Sequence, residues 1–413
     1  MSGHVHVIGA GLAGLSAALA LTAVGRAVTI YEAGPVAGGR CRSYFDRELG
    51  LTVDNGNHLL LSGNTAAMRY LDTIGGRAAM TGPAAPIFPF MDLTTEQRWE
   101  LRPNRGRFPW WVFSRGRRVP GTKVLDYAVL ARMLRIRNDK TVHAGFCQNA
   151  LYRPLLAPLT VAALNTQPEA ALTRLLAAVL RQTLAAGGDA CLPMFPHTGL
   201  SSALIDPAVR TLAARGAQLR FSHRIGSLTT SAGRVTALCG PDRPIPLGPT
   251  DAVVLAAPAW VAAELLPNLM VPAVFEAIVN VHFRIAADPG PIGFIGLIGG
   301  TAEWVFVKQS HVSTTTSAAS GLAEMDANRI AASVWPNVRA ALGLTGRTPP
   351  PWRVVKERRA TVAATATQER RRPQAKTDIA NLVLAGDWTA TGLPGTIEGA
   401  IRSGETAATL LAA

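Results

Sequence analysis

The run His4-Val5-His6-Val7-Ile8-Gly9-Ala10-Gly11-Leu12-Ala13-Gly14 decides the fold. Its first half is short and β-rich, and its second half fits G-x-G-x-x-G. Residues 12–25 are rich in alanine and leucine and read as a buried helix, and residues 27–31 (AVTIY) as a second strand. A helix between two strands makes them parallel, so the N-terminus is a β-α-β unit. In such a unit Gly9 allows the tight turn, Gly11 lets a pyrophosphate approach the backbone, and Gly14 lets helix and strand pack closely. The helix start, with Leu12 and Ala13, offers free N–H groups and a positive dipole end to phosphate. The second strand runs into Glu32 and Ala33, where a carboxylate accepts hydrogen bonds from ribose hydroxyls.

Fingerprint and acid together do not choose between NAD and FAD. The next segment does. Ala37-Gly38-Gly39-Arg40 follows almost at once, with glycines for close backbone approach and a guanidinium for pyrophosphate. NAD dehydrogenases usually continue here into another β-α-β unit, and this chain does not. The C-terminus returns to the same grammar. A strand-like run at 382–385 leads into Gly386-Asp387-Trp388, then Gly392-Leu393-Pro394-Gly395-Thr396-Ile397-Glu398-Gly399-Ala400 and a helix from about 395 to 411.

These motifs resemble the amine-oxidase/phytoene-desaturase superfamily of flavoproteins. The resemblance implies non-covalent FAD, with Gly386 and Asp387 at its ribityl or pyrophosphate part. It also implies that Gly395, Thr396 and Ile397 present a helix N-terminus to the flavin pyrimidine edge, where reduced flavin is anionic. Ile225, in a strand-like run at 219–225, is expected at the adenine, and Ala257 close to the cofactor. The fold class expected is α/β with an α+β substrate part: a Rossmann-like FAD-binding domain from residues 1–80, 204–270 and 376–413, and an inserted mixed sheet and helical substrate domain from 81–203 and 271–375. Within these, residues 151–186 and 204–215 read as helical, 234–238 and 253–257 as strands, and 279–307 as strands of another sheet.

A second resemblance is narrower. Asp54-Asn55-Gly56-Asn57-His58-Leu59-Leu60-Leu61-Ser62-Gly63-Asn64, with the tail Gly386-Asp387-Trp388-Thr389 and Leu393-Pro394, is similar to the bacterial hydroxysqualene dehydroxylases, the squalene-associated FAD-dependent desaturase group. That implies reduction of hydroxysqualene, an allylic C30 alcohol, to squalene and water in bacterial squalene and hopanoid biosynthesis. Asn55, Gly56, Asn57 and His58 are then expected near the isoalloxazine. His58 is the first candidate acid for the leaving hydroxyl, because imidazole titrates in the useful range. Asn57 orients the flavin or that hydroxyl, and His197 is a second candidate. A structural histidine and a turn-forming asparagine are the plain alternatives. So are a carotenoid or phytoene desaturase, an amine oxidase, or a non-catalytic flavin-bound scaffold in an isoprenoid complex. The aromatic content of 6% gives little support to an amine oxidase's aromatic cage.

Composition bounds the rest. The chain has 413 residues, is 48% hydrophobic and 16% charged, and reads as globular. Lysine and arginine number 41 against 27 acids, a formal charge of +14. No nucleic-acid motif accompanies it. The arginine–aromatic mixture at 102–118, with Phe108, Trp110, Trp111 and Phe113, suits an anionic membrane surface, helped by a basic amphipathic helix at 125–137; an arginine-rich composition with no functional meaning, a solvated surface and a core-facing helix are the plain alternatives. Cys41, Cys147, Cys191 and Cys239 lie far apart, which implies neither a metal site nor a disulfide framework and suits a cytoplasmic protein on the membrane face. A C30 isoprenoid, upstream squalene-pathway synthases and an electron donor are the expected partners.

Overall fold

In the computed structural model, which describes residues 3–412, the fingerprint joins the strand Val5–Ile8 to the helix Leu12–Ala23, and Val28–Tyr31 follows. The helix has no polar face because it is covered on several sides: it packs on its own strands, on the helix Asp206–Ala214 and on the last helix, Ile397–Ala412. The strands pair in the order Gln218–Arg220, Val28–Tyr31, Val5–Ile8, Ala252–Leu255, Leu382–Leu384, every pair parallel. The apolar run at 253–257 thus lies beside the first strand, and all four residues of Ala252–Leu255 are buried. Neighbours on the two sides of Val5–Ile8 are reached in opposite directions, which opens a crevice at its carboxyl end, where the glycines sit.

Three elements differ from expectation. The strand expected at 219–225 ends at Arg220, because the chain turns at Ser222 (φ 52°). Beyond the turn, the backbone N–H groups of Ser222 and His223 bond to Gly34 and Glu32, so Ile225 is buried but lies outside any strand. The helical stretch at 151–186 is broken. A π-helical turn, Tyr152–Leu156, runs into Ala157–Leu164; Asn165 in the left-handed region (φ 47°) stops it, and Thr173–Gln182 follows. The amphipathic helix at 125–137 is a 3-10 turn, Val124–Tyr127, plus the short helix Ala128–Met133, since Leu134 and Ile136 turn inward onto the apolar cluster around Met133 and Phe146.

A second sheet has seven strands, ordered Trp352–Val362, Phe275–Phe283, Val312–Thr316, Trp304–Val307, Phe294–Ile298, Phe88–Asp92, Arg98–Leu101. It is mixed: Phe294–Ile298 pairs parallel with Phe88–Asp92, and the other pairs are antiparallel. Register divides its faces. Val279, Val281, Phe283, Val305 and Val312 pack on the helix Ala327–Leu342 through Ile330, Val334, Trp335 and Val338. On the other face cross-strand partners are polar at one end, Asn280 with Thr315 and His282 with Ser313, and aromatic beyond, Phe306 with Phe294 and Phe90 with Trp99. The polar end meets the Asp54–His58 segment.

Candidate active site

The three fingerprint glycines carry different constraints. Gly9 has φ 108°, and a Cβ there would lie 2.7 Å from the Ala256 carbonyl oxygen. At Gly14 a Cβ would lie 1.9 Å from the Gly9 oxygen. Gly11 is the reverse: a Cβ would meet nothing within 4 Å. Gly9 and Gly14 are therefore demanded by the protein's own packing, and Gly11 faces open space. Gly38 pairs with Gly11 as an isolated bridge and brings Gly39 alongside. Glu32 accepts the N–H groups of Ala10 and Gly34, both at 2.8 Å, which holds its carboxylate beside the glycine turn; Ala33 next to it is exposed.

The C-terminal motif reaches the same place. Arg40 Nη2 lies 2.6 Å from Asp387 Oδ1, and Nη1 donates to the Ala360 carbonyl. Two of five guanidinium N–H donors are thus committed, while the side chain stays 40% exposed for a further anion. Gly386 donates to Ser403 Oγ (2.7 Å), and the Trp388 indole donates to the Ala257 carbonyl (3.0 Å), tying the motif to its own helix and to the central strand. Gly395 sits so near Asp387 and Thr361 that a Cβ would come within 3.2 Å of the one and 3.0 Å of the other. Thr396 Oγ1 accepts the Gly399 N–H (3.0 Å) and so caps the turn that starts Ile397–Ala412. In that helix buried Glu398 accepts the N–H groups of Ala66 and Ala67, capping Thr65–Ile74 and anchoring the end of the Asp54–Asn64 segment.

That segment lies against the polar end of the second sheet. Asn55 Nδ2 donates to the Arg40 carbonyl (3.2 Å) and to Glu357 (3.0 Å), and the Asn55 carbonyl accepts from Asn280 (3.2 Å). Gly56 is also close to Asn280: a Cβ there would lie 3.4 Å from its Nδ2. Asn57 Nδ2 reaches Ser313, Thr314 and Thr315, while its Oδ1 is buried and meets no donor among the described residues. Beneath them Asp54 and Lys308 form an ion pair with both side chains almost fully buried. Burial opposes the Asp54 charge, but Lys308 outweighs it, aided by Ser43 (2.6 Å) and the Leu200 N–H (2.8 Å), and the carboxyl stays below its usual range.

Three imidazoles, the Asp54–Lys308 pair and Arg40 make the electrostatics of this corner. Burial pushes His58 down to about 4; Asp54 pulls it up, and Arg40 and Lys308 push it further down. Burial likewise takes His282 to about 3 and His311 to about 4, with Lys308 adding to both. At neutral pH these imidazoles are uncharged and Lys308–Asp54 holds the charge. His197 is exposed and apart from this group; its ring lies 3.3 Å from the Gln309 amide nitrogen, and its backbone N–H bonds to Ala79. Among the described residues no cluster of three His, Cys, Asp or Glu has the geometry of a metal site.

The residues present fit FAD. The open space at Gly11, the half-exposed Arg40 beside Asp387, the capped turn at Thr396 and the unpartnered Asn57 oxygen lie along one seam between the two sheets. Sequence reading missed Lys308, His282, Ser313, Thr315, Glu357 and Glu398. A signal existed for His282: with Asn280 it is polar at alternate positions of the otherwise apolar run 277–283.

The basic segment forms a surface of its own. Phe108 is 70% exposed, Phe113 61% and Leu125 84%, and Arg117 stacks over the Trp110 ring at 4.6 Å. Trp111 does not join them: it is buried, edge-on to Tyr127 at 5.2 Å. No helix among the described residues is long and apolar enough to cross a membrane.

Residues 12–287 and 307–412 match the family of flavin-containing amine oxidoreductases. The chain is 46% identical over 411 residues to a hydroxysqualene dehydroxylase of Sinorhizobium fredii, covering 99% of this chain and 98% of that one. It is 47% identical over 415 residues to that of Rhodopseudomonas palustris, covering 100% and 99%. Among solved structures, cyclohexylamine oxidase from Brevibacterium oxydans superposes with a TM-score of 0.69 at 16% identity, over 100% of this chain and 99% of that one. Putrescine oxidase superposes with 0.68 at 13% identity over 100% of both. Those two likenesses speak for the fold; the full-length identities speak for the family. The chain is an FAD-dependent oxidoreductase of the flavin-containing amine oxidoreductase fold, and it belongs to the hydroxysqualene dehydroxylase family.

Proposed function

We propose that this chain reduces hydroxysqualene to squalene and water. The observation that carries the reading is the near-full-length likeness, 43% identity or more, to three hydroxysqualene dehydroxylases. The amine oxidases named above share the fold at far lower identity. Bound FAD in its reduced form supplies hydride. The protein's own part is to hold the cofactor, orient a long hydrocarbon, deliver a proton to the departing oxygen and exclude water that would recapture the allylic cation. In this reading Gly9, Gly11, Leu12, Ala13, Gly14, Glu32, Ala33, Gly39 and Arg40 hold the nucleotide half, with Ile225 and Ala257 beside it. Gly386, Asp387, Gly395, Thr396 and Ile397, with Asn55 and Gly56, hold the flavin half. Asn57 and His58 face the reacting hydroxyl; His58, neutral at pH 7, holds its oxygen as a donor and protonates it only through a minor cationic fraction.

We read the division of labour as a cofactor part from 1–80, 204–270 and 376–413 and a substrate part from 81–203 and 271–375. The substrate lives in a bilayer, and the arginine–aromatic surface around Phe108, Trp110, Phe113 and Leu125 suits docking on the cytoplasmic membrane face. Squalene-pathway synthases are the natural suppliers of the alcohol. The sequence carries one glycine fingerprint, so electrons arrive from a separate reductase or directly from NAD(P)H. The test is anaerobic: reduce the purified protein, add hydroxysqualene, and follow flavin absorbance and product mass. Flavin reoxidation with squalene formation supports the reading. Reoxidation by no lipid, with oxidation of phytoene or an amine instead, overturns it.

A further inference from the structure

The side chain of Asn57 is oriented by the groups around its amide nitrogen. Its Nδ2 lies 2.7 Å from Ser313 Oγ, 3.1 Å from Thr315 Oγ1 and 3.3 Å from the Thr314 carbonyl oxygen. The carbonyl only accepts, so the amide nitrogen must face it. The hydroxyls agree. Thr315 Oγ1 is 2.9 Å from Asn280 Oδ1, which has no proton of its own, because the Asn280 amide nitrogen donates to the Asn55 carbonyl. Ser313 Oγ is 2.9 Å from Nδ1 of His282, whose buried ring presents a lone pair or an N–H there according to its tautomer, and either leaves the hydroxyl a lone pair for Asn57. Thr315 has committed its one proton to Asn280, so it can only accept from Asn57, and with the Thr314 carbonyl it turns the amide nitrogen inward, where Ser313 Oγ also accepts. The Asn57 Oδ1 points away from all three, withdrawn from solvent and with no donor among the described residues.

We propose that Asn57 is a polarity-fixed acceptor whose Oδ1 receives the O–H of the substrate alcohol or an N–H of the bound flavin, and that Ser313 and Thr315 are the positioning residues that hold it so. The inference rests on the functional reading above and deepens it. A hydroxyl that leaves as water must take a proton on an oxygen lone pair. Holding its O–H on Asn57 fixes the oxygen and leaves the lone pairs for the acid. A ligand with no donor at that place, such as the methyl ether of the same alcohol, leaves Oδ1 unpaired and is discriminated against. The same acceptor on a flavin N–H would orient the cofactor instead.

Two variants test this on the FAD-loaded enzyme: Asn57→Leu, which removes the acceptor, and Ser313→Ala with Thr315→Val, which removes what aims it. If the donor is the alcohol, kcat/KM for hydroxysqualene falls roughly tenfold in both, while FAD affinity and the flavin spectrum stay unchanged. If the donor is the flavin, both variants weaken FAD binding by roughly tenfold and shift its visible bands. Ser313→Thr, which keeps a hydroxyl, restores either readout. The inference is overturned if both variants keep all three quantities within about twofold, if only the melting temperature moves, or if Asn57→Leu alone has an effect. The unaltered enzyme is the control on the reaction itself: should it not turn over hydroxysqualene, the functional reading fails and the FAD readouts alone decide the acceptor.

Discussion

Arg40 and Asp387 lie 347 residues apart in sequence and 2.6 Å apart in space. Neither end of the chain makes the site alone: the N-terminal motif brings the cation and the C-terminal motif the carboxylate, and the pair fixes both at the crevice beside Gly11. Asp387→Ala frees the guanidinium and removes the acceptor expected for the cofactor. We expect FAD affinity to fall at least tenfold, about 1.4 kcal/mol or more, read as the 450-to-280 nm absorbance ratio after desalting. Full FAD retention at unchanged affinity would remove Asp387 from the cofactor site.

Gly11 and Gly14 separate binding from folding. At Gly11 a methyl group meets nothing of the protein, and its φ of −74° is open to any residue. Gly11→Ala should leave the melting temperature of the FAD-free protein unaltered and cut FAD affinity at least tenfold. At Gly14 the added carbon collides with the Gly9 carbonyl. Gly14→Ala should destabilise the FAD-free protein by about 1–3 kcal/mol. Equal effects of the two on FAD-free stability would count against this assignment.

How much of this was legible follows from range. The glycine turn, the Arg40 segment and the Asp387 motif were readable because each is a local pattern with a local cause: a strand, a turn and a helix start within a few residues. The buried corner was not, because its contacts join distant strands. Lys308 meets Asp54 across 254 residues, and nothing near either announces the other. The β-prone neighbours of Ile225 suggest a strand, yet the turn at Ser222 carries the chain off the sheet edge. The arginine neighbours of Trp111 suggest a surface residue, yet it is buried, edge-on to Tyr127. Local composition could not tell Trp110 from Trp111; which one faces the core depends on the 3-10 turn that carries them.

The acid role of His58 has a pH signature. Its pKa of about 4 leaves the imidazolium a minor species near neutrality, and that fraction grows about tenfold for each unit of pH decrease until the pKa is approached. If cationic His58 protonates the leaving oxygen, kcat/KM should rise as pH falls from 7.5 to 5.5. His58→Gln should flatten the profile and lower the rate while keeping FAD bound. A flat profile in the unaltered enzyme would show that the proton comes from elsewhere.

Acid should also loosen the fold. His6, His58 and His311 are held near 4 and His282 near 3, below the unfolded value of 6.5. A lowered histidine favours the native state above its unfolded pKa and loses that contribution as pH falls toward the folded one. Each therefore removes up to about 1.4 kcal/mol per pH unit between 6.5 and 4. Glu303, raised to about 7 by burial, works in the opposite sense over nearly the same range and offsets one of the four. The net expectation is a melting temperature several degrees lower at pH 5 than at pH 7.5. His311→Gln should reduce that dependence, and an unchanged slope would mean the imidazole is not held neutral by the fold.

The membrane reading turns on four side chains. Phe108, Trp110, Phe113 and Leu125 are exposed, as are Arg105, Arg107 and Arg115, in a segment where Trp111, Val112 and Val119 are buried. Exposed rings next to cations suit a headgroup layer, where the charges draw the protein in and the rings insert. Replacing Trp110, Phe113 and Leu125 by serine leaves the core intact, so the melting temperature and FAD content should hold. Partition onto phosphatidylglycerol vesicles should fall at least tenfold, since each ring or branched chain loses roughly 1.5–3 kcal/mol of burial when fully inserted. Raising salt should weaken binding of the unaltered protein as screening shortens the reach of its arginines. Turnover of vesicle-borne hydroxysqualene should drop in the variant while turnover in detergent persists. Equal vesicle binding by the two proteins would place the docking face elsewhere.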